Sequence, residues 1–226
     1  MSHILDRPVW NALRTVHAAL AEGGNQALRY PPSIVPFAAS ADSSAASLEA
    51  LEDLLALGEA AALVETGPFD TPPGLMILSD ARLVQMIAER PYQRIVDSRI
   101  VPLTEADAED MLALAALTKP GPFTLRAQNL GAFWGMKIDG RLVAMAGQRM
   151  RQTGFTELSG LCTHPDFQGQ GFGKLLFRFV AGEISARDET AYLHAYAANS
   201  SAISLYSALG FGLRAEMNFR IVRGDR

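Results

Sequence analysis

"THPDFQGQGFGKLLFRF", residues 163–179, places three glycines within five positions and then begins an apolar helical run. A fixed glycine costs more backbone entropy than any other residue. Such a cluster is kept where something must approach the backbone closely. Three phosphate-cradling patterns compete for it. A P-loop needs G-x-x-x-x-G-K-[ST]; here Gly173–Lys174 is followed by Leu175, and Gln168 stands where the first glycine belongs. A dinucleotide fingerprint needs G-x-G-x-x-G; Gly169 and Gly171 fit, but Lys174 fills the third glycine position. The pattern Q-x-x-G-x-G is complete in Gln168, Gly171 and Gly173. Successive amides of such a loop form a nest for an anion, and a helix N-terminus adds unpaired N–H groups and a positive dipole end. A plain glycine-rich turn is the competing structural reading.

The surroundings supply an order of elements. "RIVPLTEADAEDMLALAALT" reads as a strand and then a helix, opened by a capping-box-like Thr104 and Asp107. "GAFWGMKIDGRLVAMAGQRM" reads as a hairpin about Asp139–Gly140. "GFTELSGLCTHP" is a strand ended by Pro165, and a helix runs from about Gly171 to Ala186. "AYLHAYA" is the next strand, "NSSAISLYSALGF" a short helix ended by Gly210, and "GLRAEMNFRIVR" a closing strand.

With that order, "LCTHPDFQGQGFGKLL" and "NSSAISLYSALGF" resemble the GNAT acetyltransferase superfamily over roughly residues 99–222. The resemblance implies an α/β fold of the α+β kind, a mixed central sheet with splayed strands flanked by helices, and acetyl-CoA as cosubstrate with no metal. It implies that loop residues Gln168, Gly169, Gln170, Gly171, Phe172, Gly173 and Lys174 surround the CoA pyrophosphate. It implies that the backbone of Leu161, Cys162 and Thr163 pairs with pantetheine, that Asn199 lies near the pantetheine arm, and that Tyr206 lies beside the CoA sulfur. A weaker resemblance links the C-terminal half to the glycine N-acyltransferase-like branch, which would favour a small amino acid or amine as acceptor.

Two catalytic candidates follow. Tyr206 is the candidate acid for the leaving thiolate; otherwise it is a core tyrosine beside Ile203, Leu205 and Leu209. Glu157 is the candidate base, four residues ahead of the pantetheine-pairing segment, the offset at which the superfamily's histone acetyltransferases carry their base glutamate. Strand alternation sets Glu157, Ser159 and Leu161 on one face, so a solvent-facing strand residue is the alternative for Glu157, and a water chain the alternative base. Cys162 reads as a small strand residue without a partner histidine, His164 as a turn residue, and His194 as a structural strand residue. Lys174 either touches a phosphate or solvates its helix.

Composition sets the outer bounds. The chain has 226 residues, 49% hydrophobic and 19% charged, the profile of a packed globular protein. The net charge of −4 argues against a nucleic-acid surface. A single cysteine allows no internal disulfide and no cysteine-based zinc site. Asp6 and Arg7 interrupt any apolar leader, and no run reaches the ~20 apolar residues of a membrane span. A cytoplasmic monomer or homodimer, without membrane or nucleic-acid partners, is expected.

The chain divides near residue 96 into an N-terminal α/β region (1–96), for which a degenerate half-copy of the same fold is one reading, and a catalytic domain (97–226). In the first region a helix is expected from the stripe Trp10, Leu13, Val16, His17 and Leu20, stopped at Gly23–Gly24. "ALRYPPSIVPFAAS" reads as edge strand or loop, "AASADSSAAS" as a small-residue linker, and Leu48, Leu51, Leu54 and Leu55 as a short helix. "EAAALVETG" and "GLMILSD" read as strands, and Asp80 as the cap of a helix carrying Leu83, Val84 and Ile87. The function expected is transfer of an acetyl group to a primary amine of a small molecule or amino acid by direct attack. A protein lysine or N-terminal acetyltransferase and a non-catalytic acyl-CoA-binding module are the alternatives.

Overall fold

The computed structural model describes residues 3–225. The strands are β1 (Glu22–Gly23), β2 (Ala27–Arg29), β3 (Ala38–Ser40), β4 (Ala60–Glu65), β5 (Leu75–Ala88), β6 (Ile100–Leu103), β7 (Phe133–Ile138), β8 (Arg141–Gln152), β9 (Phe155–Thr163), β10 (Thr190–Tyr196) and β11 (Phe211–Gly224). The α-helices are α1 (Pro8–Leu13), α2 (Ala45–Asp53), α3 (Ala108–Thr118), α4 (Phe172–Ser185) and α5 (Ser200–Ala208). Eight strands form one mixed sheet in the order β4-β11-β5-β10-β9-β8-β7-β6, and β1-β2-β3 form a small sheet beside it. β9 and β10 are parallel; the other neighbours in the large sheet are antiparallel.

One face of the large sheet is covered by α4. Its stripe of Leu176, Phe177, Val180, Ala181 and Ile184 is fully buried against Val84, Met86, Leu158 and Leu193. Each large side chain of that kind contributes about 1.5–3 kcal/mol on burial. The opposite face carries α3 over Met145 and Cys162, and the N-terminal region over Met150, Tyr192, Met217 and Phe219.

Several sequence expectations hold. The hairpin turns at Asp139–Gly140, both with positive φ (50° and 80°). Thr104 and Asp107 form a reciprocal capping box, with the Thr104 amide donating to Asp107 Oδ2 at 2.7 Å. The short helix carrying Leu48 and Leu51 is α2.

Three expectations in the N-terminal region fail. No helix follows Asp80: residues 75–88 are the single strand β5, and Asp80 pairs with Arg220 at 2.6 Å. β5 lies between β10 and β11, where both faces are covered, so Leu83, Val84 and Met86 are all buried. Apolar residues on consecutive positions satisfy a buried strand as well as a helix stripe. The small-residue segment 38–47 is no linker; it forms β3 and the start of α2. Ser44 Oγ accepts from the Ser47 amide at 3.3 Å, and the buried Ser47 hydroxyl donates to Gln26 Oε1 at 2.7 Å. The first helix stops at Leu13, and a 3-10 turn follows at Ala18–Leu20. His17 turns inward to the Tyr30 hydroxyl at 2.9 Å, leaving Val16 exposed.

The sheet does not stop near residue 96. β4 and β5 pair with β11 over their lengths, and β5 also pairs with β10. The connection after β5 is strapped across α4. Its Tyr92 amide donates to Ser185 Oγ at 3.0 Å, Arg94 pairs with Glu183 at 2.7 Å, and a Cβ at Gly182 would stand 2.7 Å from the Gln93 carbonyl oxygen. Among the described residues no helix is long and apolar enough to cross a membrane.

Candidate active site

The site begins where β9 leaves β10. Their parallel ladder holds only three pairs, ending at Tyr192↔Glu157. Beyond it, Cys162 and Thr163 stay registered on Met145 and Ala144 of β8, while Leu193–Tyr196 stay on Met86–Leu83 of β5. The two strands diverge and leave facing edges without a strand between them.

Two bulges shape this wedge. On β9 an extra residue intervenes between Ser159 and Cys162, with Gly160 at φ +63°. Simple alternation is therefore broken: Glu157 points to the face under the N-terminal region, whereas Leu161 packs with the cluster beneath α4. On β8 the register slips between Gln148 and Arg151, so Arg149 and Met150 both reach the Glu157 side. Bulges re-aim side chains in this manner.

A polar row crosses the sheet at the apex of the wedge. Arg214 on β11 donates to Gln85 Oε1 on β5. Gln85 Nε2 meets His194 Nε2 on β10 at 2.9 Å, His194 Nδ1 meets Glu157 Oε1 on β9 at 2.7 Å, and Arg149 on β8 grips Glu157 through Nε (2.8 Å) and Nη2 (2.7 Å). Burial pushes the Glu157 carboxyl upward, but the charge and hydrogen bonds of Arg149 and the bond to His194 outweigh it, and the net shift is downward. Glu157 is therefore an ionised, wholly buried group; its side chain does not line the cavity above it.

That cavity has a volume of about 450 Å³. One end is built by Thr163, Gln168, Gly173, Asn199 and Tyr206; the other by Phe37, Val64, Leu83 and Phe219; Arg149, Met150 and His194 lie between. Thr118, the last residue of α3, and Lys119–Pro122 after it close one side.

The glycine loop meets the first end. Gly169 and Gly171 have φ of +77° and +80°, a region that L side chains avoid, and a Cβ on either would face open space. Gly173 is helical, and its Cβ would make only ordinary contact, 3.5 Å from Thr163 Oγ1. Gly171 is the N-cap of α4, so the amides of Phe172, Gly173 and Lys174 open the helix toward the wedge. Gln168 Nε2 donates to the Thr163 carbonyl at 3.4 Å, tying the loop to β9. Of the other loop residues, Phe172 packs into the core under α4 and Lys174 is exposed; neither they nor Gln170 line the cavity.

Asn199 caps α5, its Oδ1 accepting from the Ala202 amide at 3.1 Å and from Ser201 Oγ at 3.0 Å. Tyr206 stacks on Phe177 with centroids 5.6 Å apart, and burial raises its pKa, so the hydroxyl keeps its proton at neutral pH. Burial pushes the Cys162 thiol up to about 11, against weaker opposing bonds to Thr118 and Met145, and that thiol stays protonated and non-nucleophilic. His164 sits in its turn, Nδ1 accepting from the Asp166 amide at 3.2 Å. The residues that sequence reasoning passed over are Arg149, Gln85 and the far wall. A charge inside the apolar run of β8 was the one local signal for Arg149.

A parallel strand pair that splits, a glycine loop at a helix N-terminus in the split and a tyrosine facing it define an acyltransferase-type α/β fold. Comparison with known proteins agrees. A family model described as FR47-like protein matches residues 130–220. The crystal structure of a GNAT-family protein from Novosphingobium aromaticivorans is 41% identical, covers 100% of both chains and superposes with a TM-score of 0.93. A GCN5-related N-acetyltransferase from Kribbella flavida shares the fold at 18% identity, with a TM-score of 0.61 over 96% of this chain and 93% of its own. No curated protein matches the chain. The chain belongs to the GNAT family of acetyltransferases.

Proposed function

We propose that this protein moves an acetyl group from acetyl-CoA to the primary amine of a small molecule by direct attack. The observation that carries the reading is the continuous cavity joining the glycine loop, the strand split and Tyr206. The pyrophosphate would rest on the amides that open α4, and the pantetheine arm would lie along the free edge of β9 at Leu161–Thr163. The volume of about 450 Å³ suits a small ligand.

The chemistry makes three demands. The thioester carbonyl needs N–H donors as it becomes an oxyanion, and the unpaired β9 edge supplies backbone amides. The departing thiolate needs a proton, and Tyr206 holds one at the cavity wall. The amine must be neutral; an alkylamine with pKa near 10.4 is neutral in only about 1 part in 2,500 at pH 7, a penalty of roughly 4–5 kcal/mol. Glu157 lies below the cavity floor with its charge held by Arg149, so the amine's proton leaves through water in this reading, with Glu157 and Arg149 as the support of the floor. The protonated Cys162 thiol argues for direct attack and against an acyl-cysteine.

The test is thiol release from acetyl-CoA over a panel of primary amines. Release dependent on an amine is expected. Calorimetric binding of acetyl-CoA without release on any amine would remove the catalytic reading and leave an acyl-CoA-binding module.

A further inference from the structure

The wall of the cavity away from the glycine loop is supplied largely by residues outside the 130–220 family match. Phe37 and Val64 come from the N-terminal region and Leu83 from β5, and with Phe219 of β11 they are buried members of one apolar cluster. Uncharged carbon thus forms the surface that an acceptor's body would touch.

Charge is distributed unevenly around this end. Among the described residues lining the cavity, Lys119 and Arg149 are cationic and none is Asp or Glu. The Arg149 charge is balanced from beneath the floor by Glu157, whereas Lys119 forms no ion pair among the described residues. Arg149 spends Nε and Nη2 on Glu157. Its remaining nitrogen, Nη1, points toward Gly121 on the cavity side wall, where a Cβ would lie 3.8 Å away, and its guanidinium carbon sits 5.1 Å from the Phe37 ring centroid. Lys119 is exposed at the left-handed end of α3 (φ 51°), two residues from Gly121. Lys119, Gly121 and Pro122 also border a second hollow with Tyr196 and Phe219, which places that residue on the acceptor side of the cavity. An N–H edge and an ammonium beside an apolar wall select an oxyanion attached to an apolar body. A second positive charge on the acceptor would find no partner.

We infer that the acceptor is an apolar α-amino acid, its side chain against Phe37, Val64, Leu83 and Phe219 and its carboxylate at Arg149 Nη1 and Lys119. This rests on the acetyl-transfer reading above. The N-terminal region is then the element that selects the acceptor.

The experiment uses the full chain with acetyl-CoA and five acceptors: L-phenylalanine, phenethylamine, L-phenylalaninamide, glycine and spermidine. L-phenylalanine is expected to exceed each of the others in kcat/KM by roughly 10-fold or more, the scale of one buried ring or one satisfied carboxylate. Lys119→Gln, a surface change, is expected to lower the phenylalanine-to-phenethylamine ratio by roughly 3- to 10-fold. Phenethylamine or spermidine used as well as L-phenylalanine would overturn the inference while leaving acetyl transfer intact. Equal use of L-phenylalaninamide would overturn the carboxylate contact and point to a peptide N-terminus. If acetyl-CoA binds and no amine releases thiol, acetyl transfer itself fails. L-phenylalanine is then titrated into the protein–CoA complex. Binding weakened by Lys119→Gln would support the pocket, and no binding would overturn it.

Discussion

Arg149 and Glu157 meet across the β8–β9 ladder in a two-pronged pair, Nε to Oε2 at 2.8 Å and Nη2 to Oε1 at 2.7 Å, at the point where β9 parts from β10. The pair holds the apex of the wedge and presents the third guanidinium nitrogen toward the cavity.

Breaking that pair from one side leaves a buried charge alone, which costs about 3–5 kcal/mol. Glu157→Gln is expected to lose stability on that scale in urea unfolding, and Arg149→Met in the same chain to recover part of it. The folded carboxyl has a pKa below its unfolded value, so its contribution is full above about pH 4.5 and declines as acid protonates the unfolded chain first. The substitution should flatten the fall in melting temperature below pH 4.5. Its pH–rate profile for an accepted amine should parallel the wild type. Activity that recovers selectively at high pH would instead make Glu157 the proton acceptor.

Tyr206 has a clean conservative test. Tyr206→Phe keeps the stack on Phe177 and removes the proton donor. A kcat lowered roughly 10- to 100-fold with acetyl-CoA affinity retained is expected. Wild-type turnover would return Tyr206 to a packing role.

The glycine loop separates conformation from clearance. Gly173→Val adds bulk at a helical position with room for a Cβ, so the protein should fold and its acetyl-CoA affinity should drop about 10-fold or more by calorimetry. Gly171→Ala forces a side chain into φ +80° and should also lower the melting temperature. Unchanged affinity in a folded Gly173→Val protein would mean that no phosphate comes near that amide.

His17 is buried and neutral, its pKa lowered to about 4 by burial and then by Arg151, against a weaker backbone bond to Leu130. Below its unfolded value near 6.5 the unfolded chain binds a proton that the folded chain refuses, so stability falls as pH drops from 6.5 to 4. The loss is roughly 3 kcal/mol over that window. His17→Gln should remove most of that slope in denaturation curves taken between pH 7 and 4.5.

The sequence was most legible where local chemistry dictates the answer. The Asp139–Gly140 turn, the Thr104–Asp107 box and the glycine loop ahead of α4 each need particular residues at particular spacings. The helix expected at Leu83–Ile87 failed because burial on two faces erases alternation, and only the placement of β5 between β10 and β11 makes it a strand. Glu157 and Leu161 were expected on one face; the bulge at Gly160 adds a residue that no period reveals. The floor and far wall were hidden because Phe37, Gln85, Arg149 and Phe219 are far apart in sequence and converge only through sheet order.

That sheet order also governs how the chain can reach its final form. β5 is synthesised more than a hundred residues before β10 and β11, the strands on either side of it. It must therefore wait, with apolar Met76, Ile77 and Leu78 partly uncovered even at the end, until the last strand has left the ribosome. Pairings so distant in sequence close slowly and leave sticky edges open meanwhile. A shortened chain beginning at residue 97 would contain the whole glycine loop and Tyr206, yet lack the central strand between β10 and β11. Such a fragment is expected in the insoluble fraction on expression, and co-production of residues 1–96 as a separate polypeptide is the means of rescuing it.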